Sequence, residues 1–222
     1  MILAIDSSTQ WIGIALFDAN MIQYEKIWKA SRRHTVELAP AIKNALYETD
    51  TRVDDLTAVG AAIGPGSFTS LRIGLAIAKG LALSQRIPII GVPSLDILAK
   101  SIPPQDKPLM CLLRAGRGRL AAQLYLRQAD EWAREGEITA VTAEELESSI
   151  TKPTLIAGEL SADEKKIVSR RWRNAILLEA HENIRRPSIL ATIAQAKMNA
   201  GDVSDTAAIA PIYVRTVRND AR

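Results

Sequence analysis

Ile2-Leu3-Ala4-Ile5-Asp6-Ser7-Ser8-Thr9 opens the chain and decides how the rest is read. Apolar residues run straight into a carboxylate and three hydroxyl side chains. A short buried strand followed by a polar turn has this pattern. Residues 11–17 are then rich in apolar and β-branched side chains, and 21–28 alternate in part, with a second polar turn at 18–20. The stretch predicts three consecutive strands. A carboxylate and hydroxyls on the first turn can hold a magnesium-bound phosphate. The simpler alternative is a turn whose Asp and Ser bond their own backbone.

Working outward, residues 34–49 have helical spacing, with Leu38, Ile42, Ala45 and Leu46 on one face. Residues 57–63 read as a buried strand that runs into Gly64-Pro65-Gly66-Ser67. A helix over 68–84 follows with Ser67 as its N-cap, then a strand over 87–92 and a helix capped by Ser94. Three strands, then helix, strand, helix, strand, describe an α/β half-domain of the actin-like (ASKHA, hexokinase/Hsp70) kind.

Ile102-Pro103-Pro104-Gln105-Asp106-Lys107-Pro108 is the clearest boundary, because closely spaced prolines forbid a helix. Strands at 109–113, 120–126 and near 132–138 follow it. Thr142 and Glu145 have capping-box spacing for a helix over 142–149. A strand over 154–157, a helix over 162–170 and a short strand at 176–178 complete this half. The last helix, 187–200, has Pro187 in its first turn and Gly201 just past its end. The expected organisation is a first subdomain over 1–101, a linker over 102–108 and a looser second subdomain over 109–222. Helix 187–200 is able to pack back on the first.

Bulk properties narrow the function classes. The 222 residues are 47% hydrophobic and 24% charged, which is ordinary globular composition. A chain of this size buries roughly 70% of its unfolded surface. Cys111 is the single cysteine, so an internal disulfide is ruled out and a reducing cytoplasm fits. The opening apolar run is too short for a signal peptide. No stretch reaches the roughly 20 apolar residues of a membrane helix, so no membrane partner is expected. His34 and His181 are the only histidines, and no CxxC or Gly-x-Ser-x-Gly occurs, so neither a metal site nor a serine hydrolase is indicated.

The formal charge is only +3. Arginines nevertheless cluster at Arg114, Arg117 and Arg119, at Arg170, Arg171 and Arg173, at Arg185 and Arg186, and at Arg215, Arg218 and Arg222. Nucleic-acid binders cluster their positive charge in this way. A small net charge also suits scattered arginines on a solvated surface.

Gly64-Pro65-Gly66-Ser67-Phe68-Thr69 is a glycine-rich turn that could cradle phosphate. It is no P-loop, because Thr69-Ser70-Leu71 stands where Gly-Lys-Ser/Thr is needed. The helix after it is apolar nearly all round, with Arg72 and Lys79 as its charged residues. Gly74, Ala76, Ala78, Gly80 and Ala82 punctuate it. Such a helix is either central to its own domain or covered in part by a second protein.

The opening octapeptide and Gly64-Pro65-Gly66-Ser67-Phe68-Thr69-Ser70-Leu71-Arg72-Ile73-Gly74 closely resemble the TsaB (YeaZ) family. Ala78-Lys79-Gly80-Leu81-Ala82 and Gly91-Val92-Pro93-Ser94-Leu95 continue the match, and Pro211-Ile212-Tyr213-Val214-Arg215 resembles that family's C-terminal Pro-x-Tyr-Leu-Arg. The resemblance is dense over 1–100 and thin beyond. It implies an actin-like fold of two subdomains with mixed sheets. It also implies a non-catalytic subunit in tRNA threonylcarbamoyladenosine biosynthesis, which binds and activates a TsaD-like catalytic subunit through its first two helices. The residues this assigns to partner binding are His34, Leu38, Ile42, Leu46, Phe68, Leu71, Arg72, Gly74, Leu75, Ala78 and Lys79. Leu75→Glu is expected to break the complex.

Asp6, Ser7, Ser8 and Thr9 become a degenerate phosphate loop, with no catalytic residue and no metal. No intrinsic cofactor is implied, although ATP or ADP at the interface with the catalytic partner is compatible. Further implied partners are an additional ATPase subunit, a second copy of the chain when alone, and tRNA through the complex. The sequence departs from the family at Ser70, where Gly is usual, and at Arg114-Ala115-Gly116, where Asp-Ala-Arg is usual. The rival reading is an independent actin-like ATPase or kinase using Asp6 and Thr9.

Overall fold

The computed structural model describes residues 1–30, 33–116 and 118–214. Arg117, Arg215, Arg218 and Arg222, named above among the arginine clusters, lie outside them.

β1 (Ile2–Asp6) is apolar on both faces because both faces are covered. It pairs antiparallel with β2 (Trp11–Asp18) and parallel with β4 (Ala58–Ala62). β3 (Met21–Lys29) and β5 (Ile89–Val92) complete a sheet of order β3-β2-β1-β4-β5. On one face, Leu3, Ile5, Ile14 and Leu16 pack with Leu38, Ile42, Leu75 and Ala78 from α1 (His34–Glu48) and α2 (Phe68–Gln85). On the other, Ile2, Ala4, Ala15 and Phe17 pack with Leu190, Ala191 and Ala194 of α6 (Pro187–Asn199). A Cβ on Gly60 would stand 2.7 Å from Leu190 Cδ2 and 2.9 Å from Ala194 Cβ. Only glycine lets α6 lie this close to the sheet.

A second sheet has the order β10-β9-β6-β7-β8. β6 (Leu109–Gly116), β7 (Arg119–Gln128) and β8 (Glu131–Val141) are antiparallel, and β9 (Thr154–Gly158) and β10 (Ala175–Leu177) add in parallel. This repeats the topology of the first sheet. α4 (Ala143–Ser149) and α5 (Ala162–Val168) supply Leu146 and Val168 to its core, beside Leu112, Leu120 and Ile156. The Thr142–Glu145 capping box forms as the spacing predicts.

The boundaries differ from the sequence division. One compact unit is Met1–Ile97 with Arg185–Ile212, and the other is built on Leu98–Ile184. The break falls inside α3 (Ser94–Lys100), upstream of the prolines. The proline-rich stretch is no bare linker: Ile102 is buried, and its carbonyl accepts from the Trp132 indole at 2.8 Å. The last helix belongs to the first unit because its apolar stripe covers that sheet's open face.

Candidate functional site

Asp6 ends β1, and Ser7, Ser8 and Thr9 turn the chain toward β2; all four are buried. The loop is filled by the protein's own groups. Ser8 N–H donates to Asp6 Oδ1 at 2.8 Å, the local turn bond open to this sequence. Arg185 Nε donates to Asp6 Oδ2 at 2.8 Å, and Arg185 Nη2 to Thr9 Oγ1 at 2.9 Å. Arg185 and Asp6 are only 4% and 2% exposed, so this ion pair is dry. Ser7 Oγ donates to Ser70 O at 2.8 Å, the hydroxyls of Ser8 and Ser94 hydrogen-bond at 2.5 Å, and His34 Nε2 hydrogen-bonds Thr9 O at 2.8 Å. A cation or phosphate at Asp6 and Thr9 would have to displace a fixed guanidinium from a buried carboxylate. The sequence placed Arg185 in a surface cluster, and the structure corrects that.

The residues assigned to partner binding divide sharply. His34, Leu38, Ile42, Leu46, Leu71, Leu75 and Ala78 are buried in the first unit's own core or against its loop. Gly74 also faces inward, since a Cβ there would stand 2.1 Å from Ser7 Oγ. In the chain by itself all eight are turned into their own unit. The wide apolar stripe seen in the sequence is chiefly what the sheet itself demands. Phe68 and Arg72 do face outward, with the guanidinium 3.7 Å over the ring centroid, and Phe68 is 52% exposed. Lys79 is half-buried, and its Nζ donates to Ala207 O at 3.2 Å.

The outward side of α2 carries Ala76, Gly80 and Leu83, flanked by the half-buried Ile73 and Ile77. Beside it, α1 exposes Val36, Ala39, Pro40 and Tyr47, with Tyr47 86% exposed. Sequence reasoning noted Ala76 and Gly80 as small residues of this helix but did not assign them, or Val36, Ala39 and Tyr47 of α1, to partner binding. The signal was present: a helix apolar all round still has an apolar face left after its sheet is satisfied.

In the second unit, Arg114 lies near the end of β6, where the sequence departs from the family's usual Asp-Ala-Arg. It binds Glu164 through both guanidinium nitrogens, at 2.9 and 2.6 Å. Burial alone would push the Glu164 carboxyl up, but the Ser161 donors and Arg114 outweigh it and hold the carboxyl below its ordinary value. Among the described residues no three His, Cys, Asp or Glu side chains gather as metal ligands. No described helix is long and apolar enough to cross a membrane.

A family model described as TsaD, tRNA N6-adenosine threonylcarbamoyltransferase, matches residues 28–166. The tRNA threonylcarbamoyladenosine biosynthesis protein TsaB of Bacillus subtilis is 29% identical over all of this chain and 96% of its own length. The chain belongs to the TsaD family, on its TsaB (YeaZ) branch. The TsaB protein of Buchnera aphidicola from Schizaphis graminum is 34% identical over 57% of this chain and 61% of its own. The solved structure of YeaZ from Pseudomonas aeruginosa superposes with a TM-score of 0.79 at 21% identity, covering 96% of this chain and 99% of that one. The α/β architecture with two mixed sheets that the sequence implied is present, and the YeaZ structure shares this fold.

Proposed function

We propose that this chain acts in tRNA threonylcarbamoyladenosine biosynthesis as a non-catalytic subunit that binds and activates a TsaD-like catalytic subunit. The product is N6-threonylcarbamoyladenosine next to the anticodon of tRNAs reading codons that start with A. The TsaB relatives' names and the family match support the pathway. The observation that carries the non-catalytic part is the phosphate loop, where Arg185 already neutralises Asp6 and bonds Thr9. An ATPase using Asp6 and Thr9 would need both groups released. Docking falls to the outward face of α1 and α2, where Val36, Tyr47, Phe68, Ala76 and Leu83 leave apolar surface exposed. A second copy of the chain would use the same face when the partner is absent. ATP or ADP would sit at the interface with the catalytic partner, and a further ATPase subunit would join the complex.

The test is reconstitution with the same organism's TsaD-like subunit, the remaining pathway components, ATP, threonine, bicarbonate and unmodified tRNA. Modified adenosine should form only when this chain is present. Product formed equally without it overturns the proposal. Ala76→Glu should leave the fold intact, because Ala76 is exposed. Within a complex it buries an unpaired carboxylate, a cost of about 3–5 kcal/mol, or at least 100-fold in affinity. Leu75→Glu is the wrong probe, because Leu75 is a core residue and its substitution would unfold the unit.

A further inference from the structure

At one end of the second sheet, three parallel strands begin side by side, each preceded by a cation. β6 starts two residues after Lys107, β9 two after Lys152 and β10 two after Arg173. The register sets Leu109 beside Leu155 and Ala175 beside Thr154, so the three cations stand at neighbouring strand starts. Neighbouring strands lie about 5 Å apart. Arg170 joins them from the single helical turn Ser169–Arg171 ahead of β10. All four cations are exposed. Between Arg170 and Arg173 is Trp172, a large indole left 72% exposed, with the Arg173 guanidinium 4.8 Å over its ring centroid.

The carboxylates nearby are committed elsewhere. Glu147 pairs with Arg171 at 2.7 Å, Asp163 with Lys166 at 3.3 Å and Asp106 with Arg127 at 2.9 Å. Among the described residues, Lys107, Lys152, Arg170 and Arg173 have no carboxylate at ion-pair distance. The four are therefore exposed cations gathered at one sheet end without a neutralising carboxylate. Spaced cations track a phosphodiester backbone, and an exposed aromatic beside them offers a stacking face for a base. An acidic protein segment would satisfy the cations but leave the indole without a role.

We propose that this strand-end patch binds RNA, with phosphates on Lys107, Lys152, Arg170 and Arg173 and an unpaired base on Trp172. It rests on the function proposed above, whose substrate is an RNA, and it lies in the unit that does not carry α1 and α2.

The experiment titrates unmodified tRNA transcript into the full chain, alone and complexed with the TsaD-like subunit, across a salt series. Four phosphate contacts predict a log–log slope of about −3 for the chain alone. Replacing all four cations with Ala should bring that slope near zero and weaken binding at least tenfold. Trp172→Ala should weaken binding about 5- to 100-fold at unchanged slope. All five side chains are solvent-facing, so melting curves should match the wild type and show that the variants are folded. A fourfold variant that binds tRNA with wild-type affinity and slope overturns the proposal. So does wild-type protein that prefers polyglutamate to tRNA. Size-exclusion chromatography separates this from the parent reading. If the wild type still forms the complex and supports modification, loss of the RNA result sinks the patch alone. If the wild type forms no complex and modification proceeds without it, the proposed function fails instead.

Discussion

At the scale of single residues, the buried pair Arg185–Asp6 joins the last helix's entry to the first turn of the chain. Removing one partner leaves the other charged and dry. Arg185→Ala is therefore expected to destabilise the protein by about 3–5 kcal/mol in urea unfolding. Arg185→Met combined with Asp6→Asn should cost less than the sum of the two single changes, because only the double change leaves no buried charge behind. Additive costs would mean that the two side chains do not act as a pair. The octapeptide that holds Asp6 was legible in the sequence as a strand and a polar turn. Its partner was not, because Arg185 lies 179 residues away and reads locally as one of two adjacent arginines. Arg186 beside it has a different fate: it stays exposed and pairs with Glu25. Adjacent arginines in a loop give no local signal of which one the fold will bury.

At the scale of elements, apolar spacing and capping residues marked the α-helices but not which way each one faces. Leu75 and Ala76 are neighbours about 100° apart on α2; the first is core and the second is outward. In a helix apolar on every side, only the docked sheet distinguishes the two. The attachment of α6 was legible only as a possibility, and its clasp was not legible at all. Glu25 on β3 binds Arg186 and accepts from both the backbone N–H and the Oγ of Ser188, at 3.0 and 2.5 Å, at the open N-terminus of that helix. Burial raises the Glu25 carboxyl, yet Arg186 and Ser188 together pull it below its ordinary 4.5. A depressed folded value means that the ionised form is favoured by folding. Its contribution is complete above the unfolded value and is lost as pH falls through the folded one. The wild type should therefore melt higher than Glu25→Gln at pH 7. The gap should narrow as the pH drops below about 4.5. A gap that stays constant to pH 3 would mean that the Glu25 charge contributes nothing.

At the scale of the whole molecule, the two sheets repeat one topology, and that much followed from strand and helix order in the sequence. The division of the chain did not follow, because the proline-rich stretch marks a loop and not the edge of the first unit. This unit takes its second helical layer from residues 185–212, far down the chain. Cutting at the sequence boundary has a definite consequence. A fragment of residues 1–101 lacks α6 and would expose Ile2, Ala4, Ala15, Phe17 and Ile90, all of them buried in the intact chain. It would also leave Asp6 without its partner Arg185. An uncovered apolar sheet face is an aggregation surface, and an unpaired buried carboxylate opposes folding. That fragment is expected to show no cooperative thermal transition by circular dichroism. Joining 1–97 to 185–212 through a flexible glycine–serine linker restores the α6 layer and the ion pair together, and should recover a cooperative melt. Introducing Arg185→Ala into the joined form separates the two contributions. If α6 packing dominates, the melt survives at lower temperature; if the ion pair dominates, cooperativity is lost again. A cooperative transition in the 1–101 fragment itself would mean that the last helix is an ornament on a self-sufficient domain.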